Sequence, residues 1–114
     1  MTSAITTHVL DTALGRPAGG VHVRLEHLDA GNDRVVVLAE ATTDDDGRAR
    51  DLGPDRVEAG TYRLVFDVAA YAAATGQDCF FPEVALTFAL TDPALHHHVP
   101  LLLSPFAYST YRGS

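Results

Sequence analysis

At 114 residues and 12.2 kDa the chain has room for a single domain, residues 1–114. Its 46% hydrophobic and 20% charged residues argue against disorder, and a net charge of −7 leaves no basic face for nucleic acid or an anionic membrane surface. The lone cysteine, Cys79, excludes an intrachain disulfide framework and a cysteine-based zinc finger, no apolar run is long enough to span a bilayer, and no charged-then-apolar leader opens the chain, so a cytoplasmic protein is expected.

In chain order, Ile5–Asp11 reads as the opening strand and Gly15-Arg-Pro-Ala-Gly-Gly20 as a loop of turn formers. Val21, Val23 and Leu25 alternate with His22, Arg24 and Glu26, the period-two pattern of a half-buried strand. Arg34–Thr42 carries the continuous run Val-Val-Val-Leu-Ala and is expected to be a strand buried on both faces. Asp44-Asp-Asp-Gly47 predicts a tight turn with Arg48 just past its tip. A calcium loop counted back from Gly47 fails, because Thr42 and Gly53 stand where acidic ligands are required. Alternation returns at Tyr62, Leu64, Phe66 and Val68, and again at Val84, Leu86, Phe88 and Leu90. Between them, alanine-rich Val68–Thr75 closes with Gly76 and predicts one short helix. His96–Leu103 and Phe106–Arg112, separated by Ser104-Pro105, complete about eight strands. That spacing is the pattern of an all-β sandwich or barrel.

Six histidines are the main chemical feature, since histidine alone titrates unperturbed near neutrality. In His96-His97-His98, strand geometry puts His96 and His98 on one face and His97 on the other. A His-x-His pair suits zinc if His8 or His22 supplies a third ligand; the alternative is a solvated strand end. No phosphate-cradling glycine loop, nucleophile elbow or supported Cys–His pair occurs; Cys79, ahead of Phe80-Phe81-Pro82, is expected to be a small buried hydrophobe. The stretch from Phe106 to Ser114 keeps an aromatic pattern where chain ends ordinarily fray, which suggests that these residues are used.

Two distant motifs then carry a resemblance. His8-Val-Leu-Asp11 with Gly15, Pro17-Ala18, Val21 and Val23 is one; His98-Val-Pro-Leu-Leu-Leu-Ser-Pro105 followed by Tyr108-Ser-Thr-Tyr-Arg-Gly-Ser114 is the other. Together they resemble the transthyretin superfamily, and the closing Tyr111-Arg-Gly-Ser114 resembles its 5-hydroxyisourate hydrolase branch rather than the hormone carriers. Two positions depart from the pattern: His97, where the family usually has an aromatic residue, and Ala107, where Gly or Ser is usual.

The resemblance implies a prealbumin-like sandwich of two four-stranded sheets with one short helix. It also implies a homotetramer built as a dimer of dimers, with sites in the channel between dimers. The implied activity opens the ring of a urate-derived substrate, 5-hydroxyisourate, with water and no cofactor. It assigns catalysis to His8, Arg48 and His98, and substrate binding to His8, Arg48, Tyr111, Arg112, Gly113 and Ser114. Either histidine could be the general base, and Arg48 could hold ring carbonyls and offset a developing oxyanion. Metal is not required on this reading. A non-catalytic carrier and a zinc hydrolase using His96, His98 and His8 are the alternatives.

Overall fold

Alternating sequence becomes a two-sheet sandwich in the computed structural model, which describes residues 3–29 and 34–113. The strands are β1 (Ile5–Asp11), β2 (Arg16–Pro17), β3 (His22–Asp29), β4 (Arg34–Thr42), β5 (Arg48–Ala49), β6 (Gly60–Asp67), β7 (Glu83–Leu90), β8 (His97–Leu103) and β9 (Tyr108–Thr110). One sheet runs β2-β1-β8-β9, with β5 also paired to β1; the other runs β4-β3-β6-β7. The expected sandwich with one helix is therefore present, and its first sheet gains a fifth strand because two-residue β2 and β5 share one edge of β1. The loop expected at 15–20 contains β2, and the strand expected over Phe106–Arg112 is regular only at Tyr108–Thr110.

The core lies between the sheets. Ile5, Val9, Val99 and Leu101 face Val23, Leu25, Leu64 and Phe66, all buried. On β1 and β8 the odd-numbered residues fill this core, which forces Thr6, His8, His98 and Leu102 onto the outer face of the first sheet.

Arg34–Thr42 is not buried on both faces as expected. It is the edge strand of the second sheet, and Val35 and Val37 are 48% and 50% exposed. Only Leu38 and Ala41 pack against the core, across an irregularity in the β3–β4 register between Leu25 and Glu26. Among the described residues there are two layers and no third, which leaves the outer side of such a run uncovered.

The helix α1 (Val68–Thr75) is capped by Asp67, whose carboxylate accepts from the Ala70 amide at 3.2 Å, and it ends at left-handed Gly76. Its Tyr71 hydroxyl donates to buried Asp11 at 2.6 Å, and Gln77 donates to the same oxygen at 2.9 Å. Burial works to raise the Asp11 carboxyl, but the bonds from Tyr71, the Leu14 amide and Gln77 outweigh it and hold it below its ordinary value. Burial, together with Asp11, pushes the Tyr71 phenol up to about 12. Tyr71→Phe is expected to destabilise the fold by about 1–3 kcal/mol, the cost of removing a buried donor from a charged acceptor. Urea unfolding checks this. Because the folded carboxyl is depressed, its contribution is present above the unfolded value of about 3.9 and is lost as pH falls through the folded one.

Candidate active site

The Asp44–Gly47 turn brings the first catalytic candidates together. Asp44 Oδ1 accepts from the amides of Asp46 and Arg48 at 2.9 and 3.0 Å, and Gly47 adopts φ +75°. A Cβ on Gly47 would stand 2.3 Å from the Val9 carbonyl, so only glycine lets the turn dock on β1, where the Val9 amide donates to Gly47 at 2.7 Å. Docked in this way, β5 pairs Arg48 directly with His8 and turns Ala49 into the core. Cross-strand partners share a face, so the guanidinium and the imidazole emerge on the same side.

Parallel pairing of β1 with β8 supplies the third candidate by setting Thr6 opposite His98 and His8 opposite Pro100. The tail joins them. Gly113 bridges His98 in the register that pairs Leu101 with Thr110, and its amide donates to the His98 carbonyl at 2.8 Å. A side chain at Gly113 would meet His98 Cδ2 at 2.8 Å, so this close approach also needs glycine. Arg112 shares a recess with His96 and Gly113, and Tyr111, 58% exposed, lines a neighbouring cleft with His97 and His98. Ser114 lies outside the described residues.

Hydrogen bonds define what each ring can do. His8 Nε2 lies 2.8 Å from the Asp46 carbonyl, which can only accept, so Nε2 carries a proton and the lone pair of neutral His8 is on Nδ1. His98 Nδ1 lies 2.8 Å from Thr6 Oγ1. Burial, and then the nearby Arg48, His96 and His8, hold the His98 imidazole below its ordinary value, so it is neutral at pH 7. A neutral imidazole beside a fixed cation is suited to taking a proton from water.

Other candidates fall elsewhere. His22 lies on the second sheet and pairs with Glu40 at 3.0 Å, so the proposed zinc set does not include it. Among the described residues no three His, Cys, Asp or Glu side chains group closely enough to hold a metal ion. Cys79 is half-buried against the core rather than fully enclosed. His97 faces away from His98 as alternation requires, is 5% exposed, and lies 3.0 Å through Nδ1 from the Leu95 carbonyl. His97→Tyr is therefore expected to leave kcat/KM within about twofold, since position 97 points to the face opposite His98; steady-state kinetics check it. Sequence reasoning missed Thr6, which sits between the rings of His96 and His98. Its spacing of two from His8 marks the shared face, but its partners follow only from the β1–β8 pairing.

The profile described as the HIUase/Transthyretin family matches residues 5–113. The 5-hydroxyisourate hydrolase of Mus musculus is 46% identical over 113 residues, covering 98% of this chain and 96% of that protein. The solved 5-hydroxyisourate hydrolase of Klebsiella pneumoniae superposes with a TM-score of 0.82 at 33% identity, covering 96% of this chain and 98% of the other. Sea bream transthyretin, solved with thyroxine, superposes with a TM-score of 0.90 at 28% identity, covering 96% and 94%.

Proposed function

The chain belongs to the HIUase/Transthyretin family, and from that membership we propose that it hydrolyses 5-hydroxyisourate to 2-oxo-4-hydroxy-4-carboxy-5-ureidoimidazoline in urate breakdown. The observation that carries this reading is the pairing of Arg48 with His8 on the face that also presents His98, with the tail bonded to His98. A carrier needs shape and apolar contact. A hydrolase needs a proton acceptor next to a cation, and these residues supply both.

In this reading His98 is the general base. It takes a proton from water as the oxygen attacks an amide-like ring carbonyl, and the C–N bond then breaks as the nitrogen is protonated. Arg48 holds carbonyl oxygens through parallel donors and offsets the charge that develops on the attacked one. His8, protonated on Nε2 by its bond to Asp46, orients substrate through the rest of its ring. Tyr111, Arg112 and Gly113 of the tail contact the substrate.

The carrier is the second reading, favoured by the higher TM-score of sea bream transthyretin. That score compares backbone paths, which both branches share, and says nothing of side chains. Freshly prepared 5-hydroxyisourate loses its ultraviolet absorbance as the ring opens. Protein is expected to accelerate that loss well beyond the spontaneous rate; no acceleration, with ligand binding retained, would establish the carrier.

The same reading makes the protein a homotetramer, a dimer of dimers. Among the described residues, strands β7 and β9 are outer strands of their sheets, each paired on one side only, and exposed Phe81 and Tyr108 pack edge to face with ring centroids 5.2 Å apart. Light scattering is expected to give about four times the 12.2 kDa chain mass. A monomer at micromolar concentration would overturn this assignment.

A further inference from the structure

One hydroxyl is shared between two histidines at the edge of this site. Thr6 Oγ1 lies 2.8 Å from His98 Nδ1 and 2.9 Å from His96 Nε2. The two rings are stacked with centroids 6.4 Å apart. Thr6 is buried beneath them, whereas His96 is exposed to solvent. A hydroxyl owns a single proton, so Thr6 can donate to only one of the two rings, and its lone pairs let it accept from the other at the same time.

We propose that Thr6 and His96 are positioning residues forming a proton relay, which moves the positive charge gained by His98 during turnover out to solvent-exposed His96. The inference rests on the reading of His98 as the base of a hydrolase and adds the device that serves it. At rest, His98 Nδ1–H donates to Thr6 Oγ1, and the Thr6 hydroxyl donates to His96 Nε2. His98 Nε2 then keeps its lone pair for the attacking water. As Nε2 takes the water proton, the Nδ1 proton passes to Thr6 Oγ1, and the proton that Thr6 carried passes to His96 Nε2. His98 is left neutral with a proton on Nε2, ready for the departing nitrogen, and the charge rests on His96. Donation to that nitrogen runs the relay backwards and restores the starting state.

The surroundings explain why such a relay is useful. An imidazolium at His98 would stand half-buried among Arg48 on β5 and His8 on β1, both of which disfavour it. At His96 the neighbouring cation is Arg112 of the tail, but both side chains are open to water, which screens them. Moving the charge by two hydrogen bonds thus takes it from a half-buried position to one open to water.

Nitrogen-15 NMR of histidine-labelled protein, combined with steady-state kinetics, tests the relay. Wild-type His98 is expected as the Nδ1–H tautomer. Thr6→Val keeps the volume and branching beneath the rings but removes the hydroxyl. It is expected to mix the His98 tautomers, shift the acidic limb of the pH–rate profile, and lower kcat at least about tenfold with KM within about twofold. Thr6→Ser is expected to restore both the tautomer and most of kcat. His96→Gln alters only an exposed side chain and can accept from Thr6 without taking a proton. It is expected to preserve the tautomer yet lower kcat as Thr6→Val does. An unchanged tautomer and kcat in Thr6→Val, or full kcat in His96→Gln, would overturn the relay. The two readings fail separately: a wild-type chain that leaves 5-hydroxyisourate untouched would overturn the assigned activity and the relay with it, whereas an active wild type with full kcat in Thr6→Val would overturn the relay alone.

Discussion

His98→Ala is expected to lower kcat/KM at least about a hundredfold, the scale on which a positioned acid–base group acts. The variant removes the imidazole that stands neutral beside Arg48, and the lone pair that His8 keeps on Nδ1 belongs to a ring already anchored through Nε2 to the Asp46 carbonyl. The fold should persist, since the ring lies on the outer face of β8 and the core is built from Val99, Leu101 and Leu103. The pH profile supplies a second check. The base must be neutral, so activity is lost as pH falls through the His98 value. Burial, aided by Arg48, His96 and His8, places that midpoint below the reference of about 6.5 expected for an unperturbed histidine. An acidic limb at or above the reference would mean that another group is the base.

Deleting Tyr111–Ser114 is expected to abolish turnover, by at least about a hundredfold, while the strand signal in circular dichroism persists. The deletion removes the Gly113 amide from the His98 carbonyl and takes Arg112 from beside His96. It leaves β9 in place, where the Thr110 hydroxyl still donates to the Pro100 carbonyl at 2.7 Å. None of the described residues of the deleted segment, Tyr111 to Gly113, belongs to the core. A tail that merely frays would make the deletion silent, and full activity in the shortened chain would remove the tail from the site.

What could be read from the residues follows a physical division. Half-buried strands such as Tyr62–Phe66 announce themselves because one face must be apolar and the other is free to be polar. The helix is equally plain, since Asp67 and Gly76 cap an alanine run at both ends. The valines of β4 misled for a related reason. An unbroken apolar run is compatible with burial on both faces, but hydropathy says nothing of whether a strand is central or at the edge. At the site the histidines stood out by residue type, whereas Arg48 took its role only from the family resemblance, because an arginine just past a turn is ordinarily a surface charge. Thr6 could not, because a threonine gains its meaning only from a parallel neighbour 92 residues away.

That parallel neighbour sets the timetable of the protein's synthesis. Strands β1 and β8 pair along their whole length although nearly the entire chain separates them, and they carry the two halves of the histidine cluster. While the chain grows, β1 has no β8 to add to, and its outward row from Thr6 to Leu10 must wait beside turns that are already made. Closing so large a loop is entropically costly, which places such topologies among the slower two-state folders. At translation rates of roughly 5–20 residues per second, the opening strand waits several seconds for its partner. Catalytic competence should therefore appear as a late, abrupt event, after local structure such as the β6–β7 hairpin with α1 has formed, and nascent chains halted before residue 97 should be inert however much of the second sheet they hold.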